Sequence, residues 1–71
     1  MKEIITEEKL SQNLKVARIS KGFTQEQVAD MLGVSRVTFN TYENNPYNLA
    51  FSTFKRLATI YGFDVRSFFT E

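Results

Sequence analysis

The chain has 71 residues, 42% hydrophobic and 14% aromatic, with nine Lys/Arg, eight Asp/Glu and a formal charge of +1. That length allows one small domain, taken as residues 1–71, whose core must use its apolar residues efficiently. With no Cys and no His, a disulfide scaffold, thiolate metal sites, a Cys nucleophile and the commonest general base are excluded. No apolar run approaches the roughly 20 residues of a bilayer span. The opening MKEIITEEKL lacks the apolar region of a signal peptide. The chain reads as cytoplasmic, with no membrane partner and no cofactor.

In chain order, helix one is predicted over Glu7–Lys21, with Thr6 as N-cap and acids in its first turn. Leu10, Leu14 and Ala17 share its inner face. Helix two starts at the Thr24 cap, and Gln27 completes a capping box. Its inner residues are Val28, Ala29 and Leu32. Helix three starts at the Ser35 cap, with Phe39 and Tyr42 pointing inward. Asn44-Asn45-Pro46 signals a turn, and Asn44 is expected to resist helix ahead of Asn45-Pro46. Helix four covers roughly Leu49–Tyr61, with Phe54, Leu57, Ala58 and Tyr61 repeating at helical spacing. Helix five is short, about Val65–Thr70, capped by Asp64. No sustained two-residue alternation marks a strand, so the fold expected is a compact all-α bundle of five short helices.

Gly22, Gly33 and Gly62 each close one helix, and each is followed by an apolar residue and a capping type. The junction Gly33-Val34-Ser35 is the most informative. A short turn containing Gly between two short helices is the helix-turn-helix arrangement, here about residues 24–43. Gly33 permits the reversal, Val34 plugs the angle, Ser35 caps the second helix, and small Ala29 lets that helix approach. A plain helical hairpin shares this turn.

The residues Gly22-Phe23-Thr24-Gln25-Glu26-Gln27-Val28-Ala29, Leu32-Gly33-Val34-Ser35, Thr38-Phe39 and Tyr42-Glu43-Asn44 together resemble the Cro/repressor, Xre-like helix-turn-helix family. The stretch from Phe54 to Val65 is similar to that family's fourth and fifth helices. The resemblance implies a lambda-repressor-like DNA-binding domain whose third helix enters the major groove. It also implies a homodimer on a palindromic operator in double-stranded DNA. Proteins of this kind are regulators in a prokaryotic cell or a phage-infected host, and short members are often phage regulators of the Cro type. Gln25 matches a position whose side chain meets phosphate together with the N–H groups of a helix N-terminus. Thr24 and Ser35 are capping residues that could add phosphate contacts. The matching positions also support an ion pair between Arg18 and Glu43; without it, these are two ordinary surface charges.

Recognition helices present their N-terminal residues to base edges. Those residues here are Ser35, Arg36, Val37, Thr38, Asn40 and Thr41. Arg36 suits guanine O6 and N7, Asn40 suits adenine N6 and N7, and Val37 and the Thr41 methyl suit a thymine methyl. A merely solvated helix face has similar composition.

Charge does not favour DNA uniformly. Residues 22–45 carry Arg36 against Glu26, Asp30 and Glu43, and Asn44-Asn45-Pro46-Tyr47-Asn48 has no charge where many relatives carry basic residues. Affinity follows the number of neutralised phosphates, so weak autonomous binding is expected. A second reading keeps the fold and makes the chain a protein-binding modulator, antirepressor or antitoxin acting on another regulator. An enzyme is not expected, because the sequence has no nucleophile–base pair, metal spacing or Gly-rich phosphate loop. Val16 and Ile19 lie opposite the inner face of helix one. Ile19 is packed under helix five or the Ile4-Ile5 segment, or is a scattered exposed hydrophobe, or belongs to a partner-binding patch.

Overall fold

A computed structural model describes residues 5–71. Its elements are α1 (Glu7–Ser20), α2 (Gln25–Leu32), α3 (Arg36–Asn44), a 3-10 turn (Pro46–Asn48), α4 (Phe51–Tyr61) and a second 3-10 turn (Val65–Phe69). The expected five helices are therefore four α-helices and two 3-10 turns among the described residues. The predicted fifth helix is the second of these turns. Asp64 caps it by accepting from the Arg66 N–H at 2.9 Å. Five residues, of which only Arg66 is a strong helix former, hold only the tighter winding.

The caps sit where the sequence put them. Thr6 accepts from Lys9 N, Ser35 from Thr38 N, and Thr24 from Gln27 N, while Gln27 returns its side-chain oxygen to Thr24 N. Each such cap contributes about 1 kcal/mol. Gly33 has φ +75°, a left-handed conformation that costs a residue with a Cβ about 1 kcal/mol or more. There the Val34 N–H donates to Ala29 O at 3.0 Å and the Gly33 N–H to Asp30 O at 3.1 Å. These two bonds satisfy the last carbonyls of α2 and turn the chain into α3. The same pair of bonds ends α1 at Gly22 and α4 at Gly62.

Asn44 departs from expectation, since it is the last residue of α3. The proline restriction falls on its immediate neighbour, Asn45, which sits outside the helical region at φ −131°, ψ 61°. Helix four starts two residues later than predicted, with Ala50 as an N-cap that makes no side-chain bond.

The core comprises Leu10, Leu14 and Ala17 of α1, Val28, Ala29 and Leu32 of α2, Phe39 of α3, Phe54, Leu57, Ala58 and Tyr61 of α4, and Phe68. Burying each large side chain contributes roughly 1.5–3 kcal/mol. Val34 and Tyr42 are half-buried against this core. Tyr61 and Phe68 meet edge to face at 6.3 Å. Asn13 ties the C-terminal turn to α1 by donating to the carbonyls of Phe68 and Thr70, each at 2.8 Å. No described helix is long and apolar enough to cross a membrane. α2 packs on α3, which rests on α1, so the outer face of α3 is left free.

Candidate nucleic-acid interface

The outward side of α3 is built by elimination. Phe39 is fully buried and Tyr42 half-buried, so the helix presents Arg36, Val37, Asn40 and Thr41 to solvent. Val37 is 78% exposed, the most exposed large hydrophobe among those described. The Thr41 hydroxyl donates to Val37 O at 3.3 Å, which leaves its methyl as the free end of the side chain. Ser35 and Thr38 are committed to each other. The Ser35 hydroxyl caps Thr38 N and donates to Thr38 Oγ1, both at 3.0 Å.

Gln25, at the start of α2, joins this face. With Arg36, Val37 and Asn40 it lines a shallow concavity of about 220 Å³. Gln25, at the position expected to meet phosphate, turns its carboxamide toward α3. Its nitrogen donates to Asn40 Oδ1 and to Glu43 Oε1, both at 3.0 Å. A primary amide has two N–H donors, so neither is left for a phosphate. The donors that remain at this end are the Thr24 hydroxyl and the backbone N–H groups of Gln25 and Glu26, since the capping box takes those of Thr24 and Gln27.

Beneath the face lies the ion pair. Arg18 Nε is 2.6 Å from Glu43 Oε2, with the Glu43 side chain 1% exposed. Arg18 Nη1 donates to Phe23 O at 2.9 Å. One carboxylate therefore joins α1, the start of α2 and the end of α3. The pairing was legible in the sequence, but the role of Glu43 as acceptor for Gln25 was not. The available signal was spacing: Asn40 and Glu43 are three apart on one helical face. The Tyr61 hydroxyl, also internal, has no hydrogen-bond partner among the described residues. Burial first, and the nearby Glu43 charge second, push its pKa above the ordinary tyrosine range.

Because Glu43 is internal and neutralised by Arg18, only Glu26 and Asp30 oppose Arg36 on the exterior of residues 22–45. The uncharged segment after α3 folds back on α1. The Tyr47 N–H donates to Glu7 Oε2 at 3.2 Å, and the Tyr47 hydroxyl donates to Ile5 O.

On α1, Val16 and Ile19 are 57% and 63% exposed. Packing of Ile19 under the C-terminal turn or against Ile5 is thereby ruled out, and Ile4 lies outside the described residues. Asn13 and Ala17, rather than Ile19, face the C-terminal turn across the bundle. A groove of about 340 Å³ runs beside Val16, bordered by Ala17, Phe63 and Phe68.

These features define a helix-turn-helix domain. Residues 14–68 match the helix-turn-helix family, and the chain belongs to it, with the Cro/repressor, Xre-like pattern noted above. Over 55 residues it is 31% identical to Antitoxin HipB of Escherichia coli, which covers 78% of this chain and 58% of that protein. Over 53 residues it is 30% identical to a hypothetical transcription factor of Neisseria meningitidis, covering 75% and 50% respectively. The chain thus spans between half and two thirds of the length of these curated relatives. No solved structure matches it.

Proposed function

We propose that this chain is a sequence-specific transcriptional regulator of the Cro/repressor type, acting as one helix-turn-helix domain over residues 1–71. The observation that carries the reading is the exposed face of Arg36, Val37, Asn40 and Thr41, set on a buried ion pair that joins three helices. Arg36 reads guanine, Val37 and the Thr41 methyl meet a thymine methyl, and Thr24 with the α2 N–H groups holds phosphate. Two copies bind a palindromic operator. The test is binding to DNA upstream of its own gene across a salt series. The expected result is a steep salt slope together with sequence preference. A preference-free, shallow slope rejects the reading.

One observation favours a second role. Val16 and Ile19 form an exposed apolar strip on α1, and two relatives carry the name antitoxin. That strip is the docking edge for a partner protein, such as a toxin or another repressor. Ile19→Lys should then abolish partner binding with the thermal melt unchanged; full retention of binding rejects the role.

A further inference from the structure

We propose that Glu43 dictates which base Asn40 reads, by fixing the orientation of the Gln25 amide between them. The inference rests on the DNA-binding reading of α3 and names a specificity device within it.

The chain of constraint starts in the interior. Glu43, held at 2.6 Å by the Arg18 guanidinium and 1% exposed, is a carboxylate and only accepts hydrogen bonds. Gln25 must therefore turn its nitrogen, not its oxygen, toward Glu43 Oε1 at 3.0 Å. The reversed amide would set oxygen against oxygen in a partly buried position. The second N–H of that nitrogen points at Asn40, 3.0 Å away. Asn40 must answer with its oxygen, because its own nitrogen would set donor against donor. Two amides that could each rotate by half a turn are locked in one arrangement by a buried charge.

The consequence lies at the outer end of the chain. Asn40 is exposed, and its carbonyl is turned toward Gln25, which takes one of its two lone pairs. Its free polar group is the Nδ2 donor, which has no acceptor among the described residues. A freely rotating Asn pairs with adenine by donating to N7 and accepting from N6. An Asn that turns its oxygen toward Gln25 and its nitrogen outward prefers an edge made of acceptors, and guanine presents N7 and O6 together. The expectation that Asn40 reads adenine is replaced by guanine at the base pair facing it. Glu43 and Gln25 act here as positioning residues.

The test is selection from randomised duplexes with the full chain at low salt, comparing the parent with three variants. The position read by Asn40 is the one whose preference disappears in Asn40→Ala. The parent should favour guanine there over adenine by roughly 5-fold or more. Gln25→Ala frees the Asn40 amide and should move that one preference toward adenine, leaving other positions unchanged. Asn40→Asp, which only accepts, should move it to cytosine, whose N4 amino group donates. A purely structural role for Gln25 would instead lower affinity for every sequence alike, and that result overturns the proposal. So does a parental preference for adenine at the Asn40 position. Failure of the parent to enrich any sequence rejects the DNA-binding reading itself. Exchange of the Gln25 side-chain amide protons in the free protein then separates the two ideas. Protons exchanging more slowly than those of exposed Gln12 uphold the locked amide, and equal rates overturn it without reference to DNA.

Discussion

Among the described residues, two arginine–carboxylate pairs have nearly the same geometry. Arg18–Glu43 closes at 2.6 Å with side chains 13% and 1% exposed; Arg66–Asp64 closes at 2.8 Å with side chains 87% and 56% exposed. The first joins residues 25 apart in the chain and the second residues two apart. Distance therefore says little about what a pair does. Inside, water cannot replace a lost partner, so each group depends on the other. At the surface, water and salt stand ready to solvate both, and the pair adds little to stability. The internal pair also has Gln25 as a third member, which carries its orientation to the candidate DNA face.

The largest effect should come from breaking the internal pair from one side. Glu43→Ala leaves the Arg18 guanidinium without its carboxylate and the Gln25 amide without an anchor. The expected cost is about 3–5 kcal/mol, a large share of the roughly 5–15 kcal/mol that holds a small domain together. Urea denaturation of Glu43→Ala, Arg18→Ala and the double variant measures it. The double variant should lose clearly less than the sum of the singles. Strict additivity would make the pair no different from its exposed counterpart.

One step outward, Arg36→Ala removes a side chain with no internal partner among the described residues. Its melting curve should match the parent. Binding to the preferred operator should weaken by about 1–3 kcal/mol, read as a titration shift at fixed salt. A coincident fall in melting temperature would place Arg36 with the internal group instead.

The same gradient from surface to interior explains what the sequence disclosed. Helix starts were legible because Thr6, Thr24, Ser35 and Asp64 act on their own neighbours within three residues. The inner faces were legible from spacing, down to Phe39 and Tyr61. Helix four has no side-chain cap, so its start at Phe51 left no local mark. The fifth helix was misjudged in kind, because a five-residue segment carries too little propensity to tell α from 3-10 winding. In the candidate site, Arg36 and Val37 were placed correctly on the exterior of α3. The inward turn of Gln25 was hidden, since it depends on Glu43 arriving from 18 residues away. Ile19 was hidden for a similar reason. Whether the C-terminal turn covers it depends on how that turn docks, and Asn13 docks it elsewhere.

A smaller effect belongs to Tyr61, next to the internal pair. Its hydroxyl is buried without a partner among the described residues, so Tyr61→Phe should be neutral or slightly stabilising at pH 7. Alkaline conditions separate the two proteins. The unfolded chain releases the phenol proton near the ordinary value of 10, while the folded state holds it to higher pH. The folded state thus binds more protons in that interval, and its stability falls as pH rises above 10. Relative to Tyr61→Phe, the parent should lose about 1.4 kcal/mol per pH unit there. Parallel stability curves for the two proteins would mean that the hydroxyl reaches water.

The smallest effect is expected at Asp64. Hydrogen bonds from the Arg66 side chain, and then from its backbone N–H, hold the Asp64 carboxyl down to about 2. Its folded pKa lies below its ordinary value of 3.8, so any contribution is present above that value and is lost as pH falls toward 2. The exposure of both side chains keeps that contribution small. Asp64→Asn is the informative change, because asparagine keeps the cap to Arg66 N and removes only the charge. Thermal melts at pH 7 in moderate salt should superimpose on those of the parent, and a modest gap should open only in low salt. If Asp64→Asn instead melts as early as Glu43→Ala, exposure would not be what separates the two pairs. The C-terminal turn would then have to be anchored by that charge rather than by Phe68 and the two bonds from Asn13.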